Sequence, residues 1–166
     1  MSVRTATPGD VPVMVRLVHE LADYEKAAHE CGLTEDQLHA ALFGPDPSAG
    51  AFVATGDDGA VVGTAIWFRT FSTWEGVAGI HLEDLYVTPG ARGDGHGAAL
   101  LAELAAEVAR RGWKRLEWNV LDWNTPAIGF YRSVGAVPNE GWTTYRLTGD
   151  PLVALAGRRT GGAAGR

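Results

Sequence analysis

The sequence predicts an α/β or α+β fold built around a mixed β-sheet. Several short segments alternate apolar and polar residues, as strands do, and other segments repeat apolar residues with a helical period. A hairpin is followed by two consecutive strand–helix units, at residues 80–111 and 115–134. This order favours helices layered on one sheet. The N-termini of the two helices can then face one ligand between splayed strands.

Size and composition support one domain with a single core. The chain has 166 residues, of which 46% are hydrophobic and 20% charged, the balance of an ordinary globular protein. A chain of this length buries about two-thirds of its unfolded surface. We expect one domain over residues 1–157 and a flexible tail at 158–166, which is rich in glycine and alanine.

Charge and cysteine usage exclude several classes of protein. The net charge of −6 argues against a nucleic-acid partner. No segment approaches the roughly 20 apolar residues of a membrane span, and no basic segment precedes an apolar run at the N-terminus. We therefore expect no membrane partner and a cytoplasmic location. Cys31 is the single cysteine and the five histidines lack metal-ligand spacing, so we expect no disulfide and no metal.

The N-terminal part of the chain predicts one strand and two helices. Ser2–Thr5 is a short strand, and Thr7–Pro8 then offers an N-cap followed by proline at the first helical position. The helical period continues to about Tyr24. Thr34 begins the second helix, because Gln37 completes a capping box three residues later.

A hairpin and a long loop are expected next. Ala51–Thr55 and Ala60–Phe68 are apolar, strand-like runs on either side of the turn Gly56–Gly59. The segment Thr70–Gly79 is expected to be a loop that carries two exposed aromatic residues.

The most informative segment lies between the next strand and the next helix. The strand Ile80–Val87 leads into Arg92–Gly97, and a strongly periodic helix follows at about Gly97–Arg111. Three glycines at alternate positions make a loop with little side-chain bulk. Such a loop turns successive N–H groups toward an anion at the helix N-terminus. It therefore predicts a site for a diphosphate.

Four further elements complete the sequence. Arg115–Leu121 alternates as a strand, and a short helix begins at Thr125 and ends at Gly135. Trp142–Leu147 is predicted as a last strand, and Pro151–Ala156 as one or two helical turns.

Two common diphosphate motifs do not fit the glycine loop. A P-loop needs Gly-Lys-Ser/Thr, and this loop contains no lysine. A dinucleotide fold needs Gly-x-Gly-x-x-Gly near an early strand, whereas these glycines lie at 93, 95 and 97. The tripeptide Arg92–Asp94 also matches an integrin-binding motif, which does not suit a chain without a secretion signal.

The glycine loop instead resembles the pyrophosphate motif of the GNAT (Gcn5-related) N-acetyltransferase family, Arg/Gln-x-x-Gly-x-Gly/Ala. Arg92–Gly97 meets that motif at every specified position. The resemblance extends over nearly the whole chain and is greatest to the branch of the spermidine/spermine and thialysine N-acetyltransferases. The segments that carry it are 20–25, 82–87, 120–124, 130–131, 135–136 and 140–142.

The resemblance implies a mostly antiparallel sheet of about six to seven strands, about four helices, splayed central strands and a homodimer. It also implies acetyl-CoA as co-substrate. The cofactor's pyrophosphate is expected at Arg92, Gly93, Asp94, Gly95, His96, Gly97 and Ala98. Its pantetheine arm is expected along Leu85, Tyr86 and Val87, and its reactive end near Asn124, Thr125, Pro126, Ala127 and Tyr131. His96 departs from the family, which usually has an apolar residue there.

Acetyl transfer to an amine requires a base, an oxyanion donor and an acid. A lysine-like amine has a pKa near 10.4, so deprotonating it at neutral pH costs about 4 kcal/mol. Glu83 is the first candidate for the base, acting directly or through water. Tyr131 suits the acid, because its hydroxyl stays protonated at neutral pH. We expect the oxyanion donor to be a backbone N–H near Tyr86 or Val87, at a strand bulge.

Acidic and aromatic side chains are candidate contacts for a cationic amine. They are Tyr24, Glu25, Glu83, Asp84, Glu117, Trp118, Asn119 and Glu140. Strict alternation would place Glu83 and Asp84 on opposite faces of the sheet. The sequence thus predicts a transferase, an acetyl-CoA-dependent N-acetyltransferase of a small primary amine such as a diamine. The alternatives are an acetyltransferase for a protein, peptide or antibiotic amine, and a non-catalytic acyl-CoA-binding regulatory module.

Overall fold

The structure, a computed structural model, describes residues 1–158. This part of the chain forms five β-strands and five α-helices. They are β1 Ser2–Thr5, α1 Val11–Tyr24, α2 Glu35–Phe43, β2 Gly50–Thr55, β3 Val61–Ser72, β4 Val77–Val87, α3 His96–Arg110, β5 Leu116–Trp118, α4 Thr125–Ser133 and α5 Gly149–Ala156. No helix within residues 1–158 has the length and apolar character that crossing a membrane requires.

The strands form one sheet in the order β1-β2-β3-β4-β5. The first three pairings are antiparallel, whereas β5 lies parallel to β4. The predicted fold class, a mixed and mostly antiparallel sheet with helices, is confirmed. The described residues hold five strands rather than six to seven.

The pairing of β4 with β5 is short. It runs from the pair Ile80–Leu116 to the pair Leu82–Trp118 and stops there. β4 continues to Val87 while it remains paired with β3. Residues 83–87 therefore extend past their last pairing with β5, and this edge of β4 adjoins the glycine loop in sequence.

A β-bulge interrupts the pairing of β3 with β4. Ile66 is opposite Asp84 and Trp67 is opposite Leu82, so Glu83 is an extra residue without a partner on β3. Because adjacent residues of β3 face opposite sides of the sheet, Leu82 and Asp84 also face opposite sides, although regular alternation would place them together.

Helices cover both faces of the sheet. On one face, α1 and α2 contribute Met14, Leu38 and Leu42 to a buried cluster that includes Val53 and Ile66 of the sheet. On the other face lies α3, whose Leu100 and Leu104 are fully buried. Gly63 and Ile66 are an odd number of residues apart on β3, so they face opposite sides of the sheet. A Cβ built on Gly63 would lie 3.4 Å from Leu100. The core therefore has two layers that the sheet separates.

The N-terminal elements follow the predicted caps. Asp10 is buried and accepts hydrogen bonds from Arg4 at 2.7 and 2.8 Å and from the Thr7 backbone N–H at 2.8 Å. The Arg4 guanidinium holds the pKa of the Asp10 carboxyl well below its usual range. Thr34 and Gln37 form the expected capping box at the start of α2.

Two predictions about individual elements are wrong. The segment Thr70–Gly79 is mostly strand, because β3 and β4 extend as a long hairpin around a turn at residues 73–76. Residues 142–148 contain no strand, although Trp142–Leu147 alternates. Trp142 and Tyr145 are 71% and 94% exposed, so the alternation there does not bury a face.

The chain divides into two compact units, Met1–Ile128 and a second one from Gly129 onward. The first contains the whole sheet with α1, α2 and α3. The second contains the C-terminal part of α4 and all of α5. The single domain over residues 1–157 stays a prediction, and most of the predicted tail, residues 159–166, lies outside the described residues.

Candidate active site

The loop between β4 and α3 has the backbone geometry that the glycine motif predicts. Gly93 and Gly95 have φ values of 92° and 87°, in the left-handed region that favours glycine. No atom beyond the adjacent residues lies within 4 Å of a Cβ built on either glycine. A ligand can therefore approach this backbone closely.

The N-terminus of α3 suits an anion. Gly95 is the N-cap, and no side chain caps the helix. The helical hydrogen bonds begin with Ala99 N–H, which donates to the Gly95 carbonyl at 2.9 Å. The amides of residues 96–98 precede that bond and lie at the positive end of the helix dipole. These amides can therefore donate hydrogen bonds to an anion such as a phosphate group.

His96, the first residue of α3, is only 4% exposed. Its Nδ1 atom is buried and has no hydrogen-bond partner. The imidazole thus packs in the position where the family usually has an apolar residue. We infer that His96 serves an anion through its backbone amide rather than through its ring.

Arg92 contacts two tyrosine rings. Its guanidinium carbon is 5.2 Å from the ring centroid of Tyr24 and 5.3 Å from that of Tyr86. Its Nε–H donates to the Val87 carbonyl at 2.9 Å. Burial and the nearby Glu20 raise the pKa of Tyr86, and Arg92 opposes that rise. The conformation of Arg92 is thus fixed by α1 and β4 together.

Residues Leu85, Tyr86 and Val87 form the end of β4 beyond its pairing with β5. Tyr86 is buried, and Leu85 and Val87 are half-buried. An extended ligand can hydrogen-bond to the backbone along this edge, as a further strand would. The edge leads directly into the glycine loop, so one ligand can contact both.

Three carboxyl groups make the neighbouring part of the site acidic. Burial, then the charges of Glu83 and Glu25, raise the pKa of Asp84 to about 6. Burial also raises the pKa of Glu25, the residue that ends α1. Strict alternation does not hold at this point of β4, because the bulge at Glu83 interrupts it. The bulge also lies at Glu83 rather than near Tyr86 or Val87.

Asn124 organises the start of α4. Its side chain is buried, and its Oδ1 accepts hydrogen bonds from the Tyr24 hydroxyl and from Ala127 N–H, both at 3.3 Å. The ring of Trp123 lies 6.0 Å from that of Tyr24, and the Lys26 ammonium lies 5.7 Å from Trp123. Thr125 and Pro126 begin the helix. The end of α1 and the segment 123–127 are therefore in direct contact.

The remaining candidates have separate positions. Glu117 of β5 lies 3.5 Å from the Arg115 guanidinium, and Trp118 is half-buried at the end of that strand. Asn119 is exposed just after it. In the second unit, Tyr131 lies on α4 with its ring 5.4 Å from that of Phe130. Glu140 is exposed in a turn of the same unit.

Sequence reasoning missed two features of the site. It assigned Tyr24 and Tyr86 separate roles and did not bring both rings to Arg92. It also missed Glu20, although the spacing of Glu20 and Tyr24 by four residues places both on one face of α1. Over residues 1–158, no group of three or more His, Cys, Asp or Glu side chains is arranged to hold a metal.

Comparison with known proteins gives consistent results. Residues 15–136 match the acetyltransferase (GNAT) family. Thialysine N-epsilon-acetyltransferase of Mus musculus is 33% identical over 166 residues, which cover 94% of this chain and 97% of that protein. L-ornithine N5-acetyltransferase NATA1 of Arabidopsis thaliana is 29% identical, over 92% of this chain and 86% of that one. The structure of an integron cassette protein of V. cholerae aligns with a TM-score of 0.77 and 26% identity, over 93% and 96% of the two chains.

The raised pKa of Asp84 predicts a pH-dependent effect of Asp84→Asn on stability. The folded chain binds the carboxyl proton near pH 6, whereas the unfolded chain binds it near pH 3.9. Wild type therefore loses stability, relative to the variant, as the pH rises from about 4 to about 6. We expect the variant to be more stable by about 3 kcal/mol above pH 7 and equal to wild type at pH 3.5.

Urea unfolding at several pH values measures this difference. Asp46→Asn, at an exposed loop position, is the matched control and should not change the pH dependence. Equal stability of wild type and Asp84→Asn across the whole range would contradict the buried, charge-crowded position of Asp84.

Proposed function

The chain belongs to the acetyltransferase (GNAT) family, and from that premise we propose that it transfers the acetyl group of acetyl-CoA to the primary amine of a small cationic substrate. Polyamines, thialysine and related diamines or amino acids are the substrate class that we favour. The relatives named above carry thialysine and L-ornithine in their names, and both compounds are small amines. We also propose a cytoplasmic homodimer.

One observation carries the proposal: a positively charged site that suits an anion and a cluster of acidic side chains lie at the same strand end. The glycine loop and the α3 N-terminus favour the diphosphate. Glu25, Glu83 and Asp84 favour an ammonium group a few residues away. A cofactor arm that follows β4 from one to the other would place a thioester beside an amine.

The carboxyl groups supply the proton acceptor. Acetyl-CoA brings an activated acyl group with a thiolate leaving group, and the amine must be neutral to attack it. We propose that Glu83 takes the ammonium proton, directly or through water. The bulge leaves Glu83 without a cross-strand partner and exposed, so its side chain can reach a ligand.

Asp84 is the second candidate for the same role. The raised pKa of Asp84, about 6, is closer to the pKa of the amine than that of an ordinary carboxyl group is. Asp84 is therefore a stronger base than an ordinary carboxylate. Its partial burial in a crowded acidic cluster favours binding of the ammonium form before proton transfer.

Tyr131 is the proposed general acid. A tyrosine hydroxyl with an ordinary pKa near 10 stays protonated at neutral pH, and donation to a thiolate whose conjugate acid has a pKa near 8.5 is favourable. No cysteine occurs near the motifs, so we propose direct attack by the amine without an acetyl-enzyme.

Two other functions remain as alternatives. An acetyltransferase for a protein, peptide or antibiotic amine would use the same cofactor site with a different acceptor. A non-catalytic acyl-CoA-binding module would bind the cofactor and transfer nothing. The cluster of three carboxyl groups favours a catalytic site for a small cation over both.

A substrate panel tests the proposed function. Titration calorimetry should detect acetyl-CoA binding, and a free-thiol assay with spermidine, thialysine, ornithine, lysine and peptides should show turnover with a small diamine. No binding of acetyl-CoA would contradict the whole proposal. Binding without turnover on any amine would favour the non-catalytic module, and turnover on peptides alone would favour the protein substrate.

Tyr131→Phe tests the general acid. Removal of the hydroxyl should lower kcat about 100-fold, in the usual range for general acid catalysis, while the Kd for acetyl-CoA stays within twofold of wild type. The control is Tyr145→Phe, since Tyr145 is 94% exposed in the same unit. Undiminished turnover by Tyr131→Phe would remove Tyr131 from the acid role.

The pH profile of kcat/KM separates the two carboxyl groups. Glu83→Gln should lower the rate most at low pH, where the neutral amine is scarcest. Asp84→Asn, of matched shape, should raise KM for the amine and keep the acid limb of the profile. If Asp84→Asn instead removes a limb near pH 6 and Glu83→Gln leaves the profile unchanged, Asp84 is the base.

A further inference from the structure

Tyr24 contacts residues of the proposed cofactor site, whereas the sequence predicted that it would contact the amine. The sequence predicts that the ring of Tyr24 offers a face to the cationic amine. In the structure a cation already lies over that ring, because the Arg92 guanidinium carbon is 5.2 Å from its centroid. A cation–π contact of this kind stabilises the arginine over the ring.

The hydroxyl of Tyr24 reaches the other cofactor segment. It donates to Asn124 Oδ1 at 3.3 Å, and the same oxygen accepts from Ala127 N–H at 3.3 Å. One side chain at the end of α1 thus contacts the arginine of the diphosphate loop and the asparagine that caps α4. The two segments are 32 positions apart in sequence, from Arg92 to Asn124.

From these contacts we propose that Tyr24 is a positioning residue for acetyl-CoA: it holds Arg92 over the end of β4 and holds Asn124 at the start of α4. The inference rests on the proposed function, which places the cofactor along these segments. Tyr24 acts through Arg92 and Asn124, and its neighbour Glu25 belongs to the acidic cluster that is proposed to bind the amine. The end of α1 therefore serves the two substrates with two adjacent residues.

The position of Arg92 supports this assignment. Its Nε–H donates to the Val87 carbonyl, so the guanidinium lies against the strand edge that the pantetheine arm is proposed to follow. The rings of Tyr24 and Tyr86 fix it there. Without the Tyr24 ring, Arg92 has one aromatic contact fewer and more conformational freedom, which acetyl-CoA binding must then restrict.

Three variants test the proposal, because each should change either the Kd for acetyl-CoA or the KM for the amine. Tyr24→Leu removes ring and hydroxyl and should raise the Kd for acetyl-CoA about 10-fold, with KM for the amine within twofold of wild type. Tyr24→Phe keeps the ring and should recover most of that loss. Glu25→Gln is the matched neighbour and should show the reverse pattern, with a higher KM for the amine and an unchanged Kd for acetyl-CoA.

A double-mutant cycle tests whether Tyr24 acts through Arg92. In an Arg92→Met background, Tyr24→Leu should change the Kd for acetyl-CoA less than twofold, because the shared contact is already lost. Independent effects that add up would overturn the proposal. Thermal unfolding of each variant shows whether it is folded. The Kd for acetyl-CoA and the KM for the amine are compared only between folded variants, with the KM measured at saturating acetyl-CoA.

The outcomes separate this inference from the proposed function. If wild type binds acetyl-CoA and Tyr24→Leu raises only KM for the amine, Tyr24 is an amine contact and the inference is wrong while the proposed function stands. If wild type does not bind acetyl-CoA at all, both are wrong. If Tyr24→Leu does not fold, Tyr24→Met, which also lacks the ring, decides: a raised Kd for acetyl-CoA with an unchanged KM for the amine supports the proposal, and an unchanged Kd for acetyl-CoA overturns it.

Discussion

The parallel pairing of β4 with β5 ends after three residue pairs, and the candidate site depends on that limit. If the ladder continued, the backbone of residues 83–87 would bond to β5 and would offer no edge to a ligand. Because it stops, the strand end, the loop that follows it and the α3 N-terminus form one continuous polar backbone surface. The hydrophobic layers on both sides of the sheet hold this surface in place without filling it.

Charge is divided along the same surface. At one end, Arg92 and the α3 N-terminus are positive; at the other, Glu25, Glu83 and Asp84 are negative. Burial, and then repulsion from Glu83 and Glu25, raise the pKa of the Asp84 carboxyl to about 6. A bound cation reduces this repulsion. The unfavourable electrostatic free energy of the carboxylates in the free protein therefore favours binding of a cationic ligand.

Local chemistry made much of the fold predictable. Caps, glycines and helical periods located the helix ends within three residues, because those signals act over four residues. The position of the bulge could not be predicted, since it depends on which residues of β3 and β4 pair. The strand predicted at Trp142–Leu147 failed for a related reason: alternation alone does not provide a partner strand. At the site, the motif predicted the diphosphate loop, whereas the contact of Tyr24 with Arg92 joins residues 68 positions apart and has no local signal.

The bulge has an evolutionary consequence. If Glu83 were absent, Leu82 and Asp84 would be adjacent and would pair with the adjacent residues Trp67 and Ile66, so the ladder would be regular. The sheet therefore does not require a particular side chain at position 83, while its neighbours are constrained by packing. A position that the fold tolerates but does not use can accumulate substitutions without loss of stability. Substitution of Glu83 would therefore remove the proposed proton acceptor and leave the architecture intact.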